Sequence, residues 1–227
     1  MADFDTAISV IDYDAFIFDL DGTLLDTADD LGAALNSVLV AHNQPRVSAR
    51  VYRPAASNGA LALLEAGFGP HWHAQTQHDD LRQQLLTSYA DNIATHSQCF
   101  TGIAQLLIAL DQQQIKWGIM TNKPEFLTTP LVAAISELSD AQAIVCGDTL
   151  NVAKPSPLPL LHTAQLLDVD PNRCLYVGDA QRDIIAAKAA NMHSATALWG
   201  YIPNEDEALS WQADFNWQSP IDAFNHI

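Results

Sequence analysis

Two aspartates, Asp19 and Asp21, stand two positions apart at the end of the apolar run Ala15-Phe16-Ile17-Phe18. Like charges that close raise each other's pKa unless a cation or a reacting group gives them separate tasks, so the pair asks for a metal. One carboxylate can attack an electrophile and hold it covalently. The other can protonate a leaving group and later take a proton from water. Gly22 lets the backbone turn sharply behind them, and Thr23 offers a hydroxyl and an N–H to an anion over the strand end. Taken alone, D-x-D-G also fits a solvated strand-to-helix turn.

Three more groups carry compatible chemistry. Thr121 and Asn122 lie between an apolar run and Pro124, where a hydroxyl and backbone N–H groups at a helix start can face a phosphoryl oxygen. By themselves they more often read as an ordinary helix cap. Lys154 sits in the stiff loop Ala153-Lys154-Pro155-Ser156-Pro157, which would hold its ammonium still enough to neutralise a phosphate and a nucleophile. Asp179, with Asp183 ranked after it, joins Asp19 in an oxygen-rich set of the kind Mg²⁺ prefers; Asp179 could also serve as a helix N-cap.

These groups must be placed by something, and the apolar segments supply it. Strands are predicted at 15–18, 115–120, 143–146, 174–177 and 194–198, with helices between them. Alternation of that kind makes an α/β fold, a three-layer Rossmann-like parallel sheet that binds ligands at the carboxyl ends of its strands. From Thr27 to His96 no strand is legible. There, Leu31, Leu35, Val38 and Leu39 recur at helical spacing behind a Thr27 cap, Ser48 caps a short helix broken by Pro54 and Ser57-Asn58-Gly59, and further helices are predicted over 60–66 and 71–96. The chain therefore divides into an α/β core over 1–25 and 97–227 and a helical insertion over 26–96. The tail from Gly200 is too mixed to assign.

A net charge of −17 repels nucleic acid and anionic lipid. No run of eighteen apolar residues predicts a membrane span, and the acidic start MADFDTAISVIDYD is unlike a secretory signal, so cytoplasm is the expectation. Cys99, Cys146 and Cys174 match no zinc or disulfide spacing and read as reduced thiols. His71, His73 and His78 lack a partner at ligand spacing. Trp117 and Trp199 read as strand residues in the core, and Gln75 and Gln77 as part of a solvated helix face.

The segments DLDGTLLDT, TN, KPSP and GDAQRD, in that order, resemble the signatures of the haloacid dehalogenase superfamily of phosphotransferases. The resemblance implies that Asp19 is a nucleophile toward phosphorus and Asp21 a general acid/base that also ligates Mg²⁺ through its backbone carbonyl. It implies Asp179 and Asp183 as further metal ligands, and Thr121, Asn122 and Lys154 around the phosphate. The insertion resembles the family's small cap domain, which closes over the site and reads the leaving group; Arg53, Ser57, Asn58 and Gly59 are its candidate substrate contacts. WGIMTNKP and YVGDAQRDIIAAKAANM followed by WGYI resemble the phosphoglycolate phosphatase branch, with Asn191 in place of the usual glycine. Bacterial N-acetylmuramic acid 6-phosphate phosphatases are similar in the same places.

The resemblance thus implies a Mg²⁺-dependent phosphomonoesterase, a monomer or homodimer, acting on a small phosphorylated metabolite through an aspartyl-phosphate. A sugar phosphatase or phosphomutase would keep the same signatures. A dehalogenase would not need Asp21, since halide leaves without a proton. A catalytically silent binding protein should have lost one of Asp19, Asp21, Lys154 or Asp179, and all four are present.

Overall fold

The computed structural model describes residues 13–72 and 78–227. The amino-terminal acidic segment up to residue 12, and with it His73, Gln75 and Gln77, lie outside the described residues.

In chain order the strands are β1 (Ala15–Phe18), β2 (Leu25–Asp26), β3 (Gln98–Cys99), β4 (Lys116–Met120), β5 (Ala143–Val145), β6 (Cys174–Gly178), β7 (His193–Ala197) and β8 (Phe215–Trp217). Six of them form one parallel sheet in the order β5-β4-β1-β6-β7-β8. β1 is buried at every residue, as expected of a strand covered on both faces. Its side chains alternate: Phe16 and Phe18 point into one apolar cluster with Leu106 and Leu110 of helix 103–112, while Ala15 and Ile17 enter another with Leu160 and Ala164 of helix 158–167. Helices on both faces complete three layers, so the α/β parallel-sheet reading holds.

The helices between β2 and β3 are α1 (Ala28–Ala41), α2 (Ala49–Ala56), α3 (Gly59–Phe68) and α4 (His78–Ala90). They gather around an apolar cluster that includes Leu35, Leu39, Leu63, Trp72 and Leu85 and that Leu127 and Tyr201 join from later in the chain. The remaining α-helices are α5 (Ile103–Gln112), α6 (Glu125–Ala134), α7 (Leu158–Leu167), α8 (Gln181–Ala189) and α9 (Glu205–Leu209). At the two ends of the helical stretch from α1 to α4, β2 pairs antiparallel with β3, Leu25 opposite Cys99 and Asp26 opposite Gln98. Strands of two residues carry no periodicity for a sequence to reveal. No helix of the described residues is long and apolar enough to cross a membrane, and the three cysteines are free thiols.

Several expectations need correction. The long helix predicted over 71–96 is described only from His78 to Ala90. Pro54 lies inside α2 without breaking it; the N–H it lacks would have bonded to exposed Arg50, whose carbonyl can turn to water instead. Thr27 precedes α1 but its hydroxyl caps nothing, because it donates to Asp21. Trp199 follows β7 rather than lying in it, and its indole N–H donates to the Thr23 carbonyl at 3.0 Å. The unassigned tail contains α9 and the sixth strand of the sheet, β8. Asn191 takes a left-handed φ of 57°, the conformation for which Asn substitutes for glycine.

Candidate active site

β1, β4 and β6 are neighbours in the sheet, and their carboxyl ends deliver Asp19, Thr121 and Asp179 to one place. Asp19 is buried. Its Oδ1 accepts the Leu20 N–H at 2.8 Å and faces the Lys154 ammonium at 3.0 Å. Oδ2 has no protein partner among the described residues, and Asp19 lines a cavity of about 340 Å³ between the sheet edge and the helical insertion.

Lys154 is fixed from several sides. Its Nζ lies 2.8 Å from Asp183 Oδ1, 2.7 Å from the Tyr176 hydroxyl and 3.2 Å from the Met120 carbonyl. Its backbone is clamped by the Asn122 amide, which accepts from Lys154 N at 3.0 Å and donates to Lys154 O at 3.0 Å. Asn122 lines the cavity, yet both ends of its side chain are engaged in holding the lysine loop. Thr121 is buried, its N–H donating to Val145 O and its hydroxyl accepting the Lys123 N–H.

Asp21 lines the cavity beside Asp19. The Thr27 hydroxyl donates to its Oδ1, and Lys123 Nζ sits 3.1 and 3.2 Å from its two oxygens. Burial opposes the charge on Lys123, but the Asp21 carboxylate and Tyr89 together outweigh it and hold the ammonium above its ordinary pKa. The Tyr89 ring of α4 lies 4.3 Å from the same Nζ.

Asp19, Asp179 and Asp183 each present an oxygen, all within 4.8 Å of one another and all buried. Asp183 is heavily engaged, Oδ1 on Lys154 and Oδ2 on the Ala180 N–H, which places it at the start of α8. Asp179 Oδ2 accepts the Tyr201 N–H at 2.9 Å and the Ser57 hydroxyl, whereas Oδ1 is buried without a partner. Burial, and then the charges of Asp19 and Asp183, push the Asp179 carboxyl up to about 7. An orphaned carboxylate oxygen between two further carboxylates is the arrangement a divalent cation relieves, so these residues fit one. The close packing depends on Gly22, whose φ of 82° suits glycine and where a Cβ would strike Asp179 and the Ser57 hydroxyl.

Helices α2, α3 and α4 and the turn between the first two contribute further lining. Ser57, Asn58 and Gly59 line the cavity. Their turn is held down by Arg182, which donates to Ser57 O at 2.6 Å and to Asn58 Oδ1 at 2.9 Å. Arg53 is engaged elsewhere, 2.7 Å from Asp26 and 3.5 Å from Asp29, over the Tyr201 ring. It is not among the residues lining the cavity.

Lys123, Arg182, Tyr176, Tyr201 and Arg82 escaped the sequence reading. A signal existed for the first two: charge balance around a phosphate, a metal and the carboxylates leaves negative charge over, and both cations lie inside segments already singled out, TNKP and GDAQRD. The tyrosines act across 22 or more positions, and nothing local marks them.

A family model described as haloacid dehalogenase-like hydrolase matches residues 16–197, and the chain belongs to that family. Within it, the chain is 41% identical over 206 residues to a phosphoglycolate phosphatase of Xanthomonas campestris, covering 91% of this chain and 92% of that one. It is 36% identical over 200 residues to an N-acetylmuramic acid 6-phosphate phosphatase of Pseudomonas aeruginosa, covering 88% of each. Among solved structures, one described as a predicted phosphoglycolate phosphatase from Haemophilus somnus superposes with a TM-score of 0.83 at 27% identity, covering 93% of this chain and 96% of that one. The enzyme class is that of a phosphatase of this family.

Proposed function

We propose that the protein is a divalent-metal-dependent phosphomonoesterase, with Mg²⁺ as the metal, that hydrolyses a small phosphorylated metabolite of the phosphoglycolate type through a phosphoryl group carried on Asp19. The observation that carries the reading is Asp19 itself: one oxygen held by Leu20 N–H and Lys154, the other free at the wall of the cavity. That is the disposition of a positioned nucleophile.

Asp19 Oδ2 attacks phosphorus as the P–O bond to the leaving group breaks, and Asp21 supplies the proton that the departing alkoxide takes up. Water then attacks the aspartyl-phosphate. Asp21 removes its proton, the bond to Asp19 breaks and inorganic phosphate leaves. Lys123 and Thr27 hold the Asp21 carboxyl at this station. Asp19, Asp179 and Asp183, with the Asp21 backbone carbonyl, would hold Mg²⁺, which supplies charge neutralisation for the phosphoryl oxygens. Lys154 neutralises the nucleophile's own oxygen, and Thr121 stands at the phosphate end of β4.

The helical insertion, residues 26–96, acts in this reading as a cap that shields the reacting groups from water. Its Ser57-Asn58 turn touches both Asp179 and Arg182, which ties the cap to the proposed metal site. A phosphate-release screen with Mg²⁺ over phosphoglycolate, amino-sugar phosphates and nucleoside monophosphates tests the function. Turnover of the first or second group is expected, and no release from any phosphomonoester would reject it. A phosphomutase would instead interconvert substrate and respond to a bisphosphate activator.

A further inference from the structure

Helix α4 lays Arg82, Leu85, Leu86 and Tyr89 along the cavity, positions i, i+3, i+4 and i+7 of one helical face. Leu85, Leu86 and Tyr89 are buried, while Arg82 stands exposed at the amino-terminal end of the stripe. Leu61 of α3 also lines the cavity and is 55% exposed, so apolar side chains of both α3 and α4 share the lining with Arg82.

The cationic side chains lining this cavity differ in one respect. Lys123 is paired with Asp21, and Arg182 is bound to Ser57 and Asn58. Arg82 makes no hydrogen bond or ion pair among the described residues. Acidic residues outnumber Lys and Arg 27 to 10 in this chain, so a cation left without a carboxylate beside an apolar cavity wall is an open valence in the site.

We propose that Arg82 reads a carboxylate on the leaving group, so that the substrate is the phosphate ester of a hydroxy acid whose carbon skeleton packs on Leu61, Leu85 and Leu86. The proposal rests on the phosphomonoesterase reading and deepens it. Guanidinium binds carboxylate through two parallel N–H donors. A second phosphate fits less well: it carries up to two negative charges, more than the single guanidinium of Arg82 neutralises. The cavity volume, about 340 Å³, falls within the roughly 300–1,000 Å³ of pockets that enclose whole organic ligands, so it admits leaving groups larger than glycolate.

Two matched pairs of substrates test this: phosphoglycolate against its neutral amide, and N-acetylmuramic acid 6-phosphate against N-acetylglucosamine 6-phosphate, which lacks the lactyl acid. For the wild-type enzyme, kcat/KM for the acid should exceed that for the neutral partner about ten- to hundredfold in at least one pair, the range of a charge-assisted hydrogen bond. Arg82→Gln should bring that ratio close to one, and Arg82→Lys should keep part of it. Thermal unfolding of each variant checks that it is folded. A wild-type ratio near one in both pairs, or a ratio unchanged by Arg82→Gln, overturns the proposal. So does a bisphosphate that outcompetes the acids and loses that advantage in the variant. The wild-type enzyme on p-nitrophenyl phosphate separates the two levels: turnover there with no acid preference sinks only the role of Arg82, whereas no turnover sinks the phosphomonoesterase reading with it.

Discussion

At the scale of single residues, the proposed mechanism gives proton handling to Asp21 and makes Lys123 its positioning partner. Lys123 touches both Asp21 oxygens and, in the proposed mechanism, no reacting atom, so its effect should pass entirely through the carboxylate. Lys123→Met is expected to lower kcat on p-nitrophenyl phosphate by about tenfold or more, with the roughly 10²–10⁴ of general acid–base catalysis as its upper bound. In an Asp21→Ala background the same substitution should cost little more, as residues acting as a unit are non-additive. Independent losses in that double-mutant cycle would contradict the pairing. Asp179 provides a pH signature. Without a cation its carboxyl is pushed up to about 7, and a divalent ion must displace the proton. Apparent metal affinity should therefore fall about tenfold per unit as pH drops below 7 and level off above it. Calorimetric Mg²⁺ titrations between pH 5.5 and 8 in buffers of different ionisation enthalpy would read both the affinity and the proton released, roughly spanning the Asp179 transition. An affinity flat across that span would count against Asp179 as a ligand.

Among the elements, the start of α1 shows why local signals mislead. Thr27 is a good N-cap type, yet its hydroxyl serves Asp21. The N–H groups of Thr27 and Ala28 donate instead to the Tyr201 hydroxyl at 2.6 and 2.9 Å, and that hydroxyl donates to Asp26. Tyr201→Phe leaves the Thr27 N–H without its acceptor and the Ala28 N–H with only the Asp26 carboxylate at 3.4 Å, and should destabilise the fold by about 1–3 kcal/mol, measurable as a lower urea midpoint. An unchanged midpoint would show that water replaces the hydroxyl. β1, β4, β5, β6 and β7 were legible because buried parallel strands are short apolar runs ended by turn chemistry. β8 was not, since Phe215-Asn216-Trp217 is three residues long with a polar centre. Pairing with β7 makes it a strand, and that is a property of the sheet.

For the whole molecule, the cavity is made jointly by the ends of the parallel strands and the helices of the insertion, with Gly22, Ser57, Asp179 and Arg182 packed at the seam. The sequence disclosed the core half of that arrangement because its acidic and basic residues fall at the ends of consecutive strands, which a parallel sheet must bring together. It did not disclose the other half. Which arginine of the helical stretch lines the cavity depends on how α2 and α4 are rotated and docked, and composition says nothing about rotation; Arg53 turns to Asp26 and Asp29 while Arg82 lines the cavity.

The central claim is that Asp19 becomes covalently phosphorylated. Rapid acid quench of the Mg²⁺-loaded enzyme turning over p-nitrophenyl phosphate, followed by peptide mass spectrometry, tests it directly. A phosphoryl group on the peptide containing Asp19, absent from Asp19→Asn together with turnover, is the predicted result. Turnover by folded Asp19→Asn close to wild type, or a phosphoryl group found on another residue, would contradict it.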